Sequence, residues 1–280
     1  MLVGPLLLLG TLPVAAQVLS CAQQEEGDVL VVNRFISLLR DGDRHRLADL
    51  IRFPLPRRYP LPSISRGEFI DRYEEVFDDE FVRIIVSSGN GECGRMGWRG
   101  LQLHNGLVWF YDDGTIRNVN YESAVEERER YRLIDLERLG LHESLRDYQL
   151  PILEWETCSY RVRVDRVDGG YRYAAWNVAR FHDSEPDIVI DKGTYNMEGT
   201  LGDHGYYFSN GEYKYILFVD TTSTVSAGDL EVYRTPLNGY HDVRHESKDH
   251  ELLLAEQIVN TGTESRNEAL LNRLRACTST

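Results

Sequence analysis

Tyr160-Arg161-Val162-Arg163-Val164, then Asp168-Gly169-Gly170, then Tyr171-Arg172-Tyr173-Ala174-Ala175-Trp176 is the stretch that decides the fold of this chain. Its first segment alternates apolar and charged residues with a period of two, the spacing that sends side chains to opposite faces of a strand. Asp-Gly-Gly supplies residues that accept positive φ, as a tight hairpin turn requires. The closing segment alternates in part and is rich in the aromatics that strands favour. An antiparallel hairpin is predicted.

Toward the C-terminus the pattern repeats. Asp187 to Ile190, Gly193 to Gly199, Gly205 to Ser209, Tyr213 to Asp220 and Asp229 to Tyr233 read as further strands, with Asn210-Gly211 as a second turn signal. Closely spaced strands with no helix between them, over residues 151–238, predict an antiparallel β domain, a barrel or a sandwich. Residues 239–280 read as a polar tail with one short helix at Glu268 to Ala276.

Toward the N-terminus the period becomes helical. Val31, Val32, Phe35, Ile36, Leu38 and Leu39 recur at helical spacing, Asp41-Gly42-Asp43 breaks the run, and Leu47, Leu50 and Ile51 resume it. The prolines from Pro54 to Pro62 exclude regular helix. Ser65 with Glu68 is a capping-box pair ahead of a helix carrying Phe69, Ile70, Tyr73, Val76 and Phe77. A further short helix carries Phe81, Ile84 and Ile85. Gly94 to Trp98, Leu101 to Phe110 and Thr115 to Tyr121 then read as strands, turning at Asn105-Gly106 and Asp112-Asp113-Gly114. Parity groups Trp109 with Leu101, Leu103 and Leu107 and predicts it buried against the Phe69, Tyr73 and Phe77 side of the third helix or lining the inside of the curled sheet. Residues 122–150 read as a charged helical linker with an apolar stripe of Val125, Leu133, Leu136 and Leu139. The fold class is α+β.

Phe53-Pro54-Leu55, Ile64 to Phe69, Tyr73, Phe77, Gly100, Gly106-Leu107-Val108-Trp109-Phe110, Ile116 and Asn120 together resemble the NTF2-like superfamily, in a bacterial exported branch with no assigned activity. The resemblance covers residues 28–121 and implies a cone, with helices packed on a curled antiparallel sheet. That superfamily hosts enzymes, carriers and assembly modules alike, so the resemblance implies a shape and no particular reaction. Its isomerases and dehydratases place Asp, His or Tyr in an apolar pocket, and Asp71, Tyr73, Trp98, His104 and Trp109 are the candidates here. The second half is similar to β-modules of exported bacterial proteins, which again implies only a shape.

Export is read from residues 1–22 as a signal peptide. Leu6 to Leu9 open an apolar run too short to span a bilayer comfortably, and Val14-Ala15-Ala16 is a small-residue cleavage site. Val18-Leu19-Ser20-Cys21 is an alternative lipobox, with Cys21 lipidated as the only link to a membrane. The expected compartment is periplasmic or secreted. A net charge of −14 and a pI near 5.0 argue against nucleic acid and anionic lipid as partners. Cys21, Cys93, Cys158 and Cys277 lack metal-ligand spacing; an oxidising compartment permits one disulfide among the last three, or two bridges where Cys21 is not lipidated, with the pairing open.

The chain has no Gly-x-Ser-x-Gly elbow, Ser-x-x-Lys, His-Glu-x-x-His or phosphate loop, and no cofactor is expected. His241, His245 and His250 with Asp242 and Asp249 could ligate a metal, but a solvated tail is the preferred reading. Cys93 is weighed as a reactive thiol and read as a disulfide half or a buried thiol. What stands out is the aromatic content of the second half: Tyr160, Tyr171, Tyr173, Trp176, Tyr195, Tyr206, Tyr207, Tyr213 and Tyr215. Such rings serve either cross-strand packing or a binding surface. The expected binding residues are Trp98, His104, Trp109, Tyr173, Trp176 and Tyr207. The expected function is an exported, non-enzymatic binding or accessory protein for a protein or glycan of the cell envelope. A small-molecule pocket enzyme (isomerase, dehydratase or hydrolase) using the cone is the alternative.

Overall fold

The computed structural model describes residues 26–89, 92–97, 100–197, 203–220, 227–234, 251–259 and 277. Residues 1–22, read above as a signal peptide, with Cys21, Trp98, the His241, His245, His250, Asp242 and Asp249 group, and Glu268 to Ala276 lie outside the described residues.

The N-terminal half sets helices α1 (Glu26–Asp41), α2 (Arg44–Ala48), α3 (Tyr73–Val76) and α4 (Asp79–Ser88) against strands β1 (Cys93–Arg95), β2 (Leu101–Leu103), β3 (Val108–Phe110) and β4 (Ile116–Val119). The strands pair in chain order as an antiparallel meander. Asp43 caps α2 by accepting from the Arg46 amide, and Asp78 caps α4 by accepting from Phe81 at 2.8 Å. After Ser65 the chain forms turns, and helix is confined to Tyr73–Val76, shorter than predicted. Between helices and sheet the aromatic rings touch one another: Phe35 and Phe110 at 5.5 Å between centroids, Phe69 and Phe77 at 5.9 Å, Phe77 and Phe81 at 5.2 Å.

Trp109 is not part of that core. Leu101 pairs with Phe110, Gln102 with Trp109 and Leu103 with Val108. This register turns Leu101, Leu103, Val108 and Phe110 inward, and it places Trp109 on the outer face, half-buried over Gly106. Phe110 takes the place expected of the indole. Counting parity straight through the turn at His104–Leu107 had put Trp109 on the wrong side, because a turn does not preserve the two-residue period.

The C-terminal half is one eight-stranded antiparallel sheet, β5 (Leu150–Glu156), β6 (Tyr160–Val167), β7 (Gly170–Asn177), β8 (Ile188–Met197), β9 (His204–Asn210), β10 (Tyr213–Val219), β11 (Gly228–Arg234) and β12 (Glu251–Gln257), paired in chain order. It curls into a half-barrel, so the sandwich alternative is dropped. At one end the curl brings the last strand to the first: the Val259 amide donates to the Glu156 carbonyl at 2.8 Å, and the Ser159 amide to the Glu256 carboxylate at 3.1 Å. Leu153, Trp155, Val162, Val164, Tyr173, Phe208, Leu217 and Leu230 fill the inner face. Strand β12 lies in the stretch expected to be a polar tail. Its Leu252-Leu253-Leu254 run follows β11 through a bulge. A disulfide joins Cys158 to Cys277. Cys93 is buried and disulfide-bonded as well, which removes it as a reactive thiol.

Helix α5 (Ala124–Gly140) connects the halves, with a packing face opposite in character to the one predicted. Val125, Leu136 and Leu139 are exposed, whereas Glu126, Arg130 and Ile134 are buried. Glu126 is gripped by the Arg57 guanidinium, which also donates to the Val119 carbonyl at 2.8 Å. On the other side Glu137 meets Arg163 of β6, a fully buried guanidinium that also lies 3.2 Å from Glu154 and 2.7 Å from Asp165. The Asp165 contact is an ion pair without hydrogen-bond alignment. Tyr59 donates to Glu137 at 2.8 Å, Arg172 to Asp165 at 2.8 Å, and His182 stands 3.1 Å from Glu154. Buried charges need partners, and α5 is turned by that need, so its apolar stripe faces outward.

Candidate binding site

One rim of the half-barrel gathers a cluster of aromatic side chains around the exposed Tyr195. Tyr171 of β7 pairs with Gly193 of β8, and beyond it Tyr195 pairs with Tyr206 and Met197 with His204 of β9. Partners in register share a face, so Tyr171, Tyr195, Met197, His204 and Tyr206 all stand on the inner side. Gly193 makes the arrangement possible. A Cβ there would lie 2.1 Å from the ring of Phe208, which is buried and has no room to withdraw. The bare backbone lets that ring cross the strand and seal the floor beneath the rim.

The rings form a continuous cluster. Centroids of Tyr171 and Tyr206 are 5.0 Å apart, Tyr195 and Tyr206 5.5 Å, Tyr195 and His204 5.2 Å, and His204 and Tyr206 5.6 Å. Tyr206 is the anchor at 6% exposure, Tyr195 is 40% exposed and Met197 68% exposed. Arg166 of β6 completes the edge, its guanidinium 5.1 Å from the Tyr171 ring centroid and its Nη1 donating to the Tyr171 hydroxyl at 3.1 Å. Burial, helped by the neighbouring Tyr171 and Tyr195, raises the Tyr206 phenol far above its ordinary range. It stays protonated, a hydrogen-bond group rather than a base or nucleophile. Chemically the rim offers apolar ring faces, polar ring edges and one cation.

The residues expected to bind are scattered. Trp176 is fully buried beneath the segment after α5, its indole donating to the Ser184 carbonyl at 2.9 Å. Tyr173 is buried inside the half-barrel against Phe208 at 5.4 Å. Both are core side chains, because the register of β7 leaves no solvent on either face at that point. Tyr207 lies on the outer face opposite Thr194 and Ile216, over Gly205, with a buried hydroxyl that has no hydrogen-bond partner. His104 sits at the β2–β3 turn with positive φ, its ring nitrogen against the Glu92 carboxylate, far in structure from these rings. Trp98 lies outside the described residues. Sequence reading noted Tyr171, Tyr195 and Tyr206 as part of an aromatic excess, but missed Arg166, His204 and Met197. The hairpin at Asp168-Gly169-Gly170 carried the signal for Arg166: across that turn it is paired with Tyr171.

Among the described residues, the candidates of the N-terminal half do not converge. Asp71 is exposed, and Tyr73 is buried beneath the Arg44 guanidinium at 4.7 Å. Among the described residues, the buried carboxylates of this half are engaged by arginines, Asp28 by Arg95 and Glu126 by Arg57. A cleft of about 320 Å³ opens between Leu61, Pro62, α3 and α5, with Arg72, Glu75 and Glu129 on its walls. Arg72 and Glu75 pair at 2.8 Å, and Glu129 pairs with Arg132. Comparison with protein-family models, curated proteins and solved structures finds no match for this chain.

Proposed function

We propose that this chain is an exported binding or accessory protein of the cell envelope, and that it holds a glycan at the aromatic rim formed by Tyr171, Tyr195, His204 and Tyr206. The observation that carries this reading is the exposed Tyr195 ring backed by a buried, neutral Tyr206 at 5.5 Å. Rigid rings with an apolar face and a polar edge suit the alternating C–H and O–H surfaces of sugars, and ordering them costs little side-chain entropy. The apolar packing of the N-terminal interior, with its buried carboxylates already paired to arginines, favours binding over the pocket-enzyme alternative. The meander lying against helices supports an NTF2-like cone as the shape of that half, and the Cys158–Cys277 disulfide fits an oxidising compartment.

The test is co-sedimentation of the purified protein with insoluble cell-wall polysaccharide, alongside Tyr195→Ala and a thermal melt of each. Expected is pelleting of the wild type, loss of pelleting in Tyr195→Ala, and melting temperatures that agree. Pelleting that survives Tyr195→Ala removes the rim as the site. A wild type that stays in solution, yet captures an envelope protein through Tyr195, would move the reading to a protein partner.

A further inference from the structure

The rim carries a cation whose surroundings do not account for it. In this chain of net charge −14, the exposed Arg66, Arg83 and Arg132 each take a carboxylate partner, while Arg34, Arg40 and Arg128 are exposed without one among the described residues. Arg166 is exposed, and among the described residues no carboxylate pairs with it. The acids beside it in sequence are engaged elsewhere. Asp165 faces the other side of the sheet, between Arg163 and Arg172, and Asp168 accepts from Gln149 at 2.6 Å. One edge of the guanidinium is held by the Tyr171 hydroxyl and its plane lies near the Tyr171 ring. The remaining N–H groups keep the planar fork that suits a bidentate carboxylate.

Resting on the glycan reading above, we infer that the ligand is an acidic sugar, with Arg166 receiving its carboxylate while Tyr195 stacks on its ring. Tyr206 is neutral and therefore does not repel the anion. Arg166 and Tyr195 both neighbour Tyr171, the guanidinium 5.1 Å and the Tyr195 ring centroid 6.4 Å from the Tyr171 ring centroid.

Affinity electrophoresis of the intact protein tests this in gels containing polygalacturonate, neutral dextran or dextran sulfate, with polyphosphate as a soluble competitor. Expected is retardation by polygalacturonate, weakened about tenfold in Arg166→Gln, abolished in Tyr195→Ala and little affected by polyphosphate. Equal retardation by dextran, unchanged in Arg166→Gln, overturns the acidic-sugar inference and leaves the glycan reading standing. Retardation by none of the polysaccharides overturns both. Preference for dextran sulfate, or retardation that polyphosphate removes and Tyr195→Ala does not, marks attraction to bare charge and overturns the inference. Circular dichroism melts of both variants confirm that each is folded.

Discussion

Two adjacent residues show how one step along a strand separates core from surface. Phe110 is fully buried with its ring against Phe35, whereas Trp109 is half-buried on the outer face. Phe110→Ala empties a ring-sized space that packed neighbours fill only partly, at a cost of about 3–5 kcal/mol. Trp109→Ala trims a side chain already in contact with water and is expected to cost about 1 kcal/mol. Urea melts of the two variants check the ordering. Equal losses would place both rings in the core and contradict the β2–β3 register.

At the scale of elements, α5, β5, β6 and the segment around His182 meet in a cluster that lacks positive charge. Glu137, Glu154 and Asp165 face Arg163 and Arg172, so a protonated His182 brings the cluster to balance. The hydrogen bond to Glu154 raises the His182 imidazole, against partial burial and the fields of Arg161 and Arg163. A group whose folded pKa is raised holds more protons when folded. Its contribution is full below the ordinary histidine range and fades as pH rises through the raised value. Wild type is therefore expected to out-melt His182→Ala at pH 5–6, with the gap closing toward pH 8–9. A gap that does not change with pH would show that His182 contributes by packing alone. Arg163→Ala is expected to cost about 3–5 kcal/mol, because it leaves carboxylates buried without their partner. Measuring it beside His182→Ala separates loss of charge balance from loss of the cation at its centre.

For the whole molecule, α5 makes the halves interdependent. It is gripped at one end by Arg57 of the N-terminal half and at the other by Arg163 of the sheet, while Tyr59 reaches across to Glu137. Calorimetry is expected to record one unfolding transition, with Glu137→Ala lowering it or splitting it in two. Two transitions in the wild type would mean that the halves unfold independently. The Cys158–Cys277 disulfide spans 119 residues of sequence and restricts the unfolded chain across strands β6 to β12 of the sheet. Replacing both cysteines by serine is expected to lower stability by about 2–5 kcal/mol. A melt of that variant beside the oxidised wild type checks the figure.

Local pattern by itself determined the alternation of helices and strands, the hairpin at Asp168-Gly169-Gly170 and the turn at His104–Gly106. Period and turn chemistry act over a few residues and need no distant partner. It also determined that the second half holds more aromatic rings than one small core usually absorbs. Tertiary structure decided which rings are free. Tyr173 and Tyr171 share a strand and a face, yet the first is sealed by the opposing inner face and the second stands at the rim. The same holds for α5, where an apolar stripe implied one packing face and buried carboxylates seeking arginines imposed another. Tail residues 251–257 became a strand only because β11 offered an edge to pair with. In each case the deciding interaction joins residues far apart in the chain, and its free energy comes from burial and charge pairing that no local window contains.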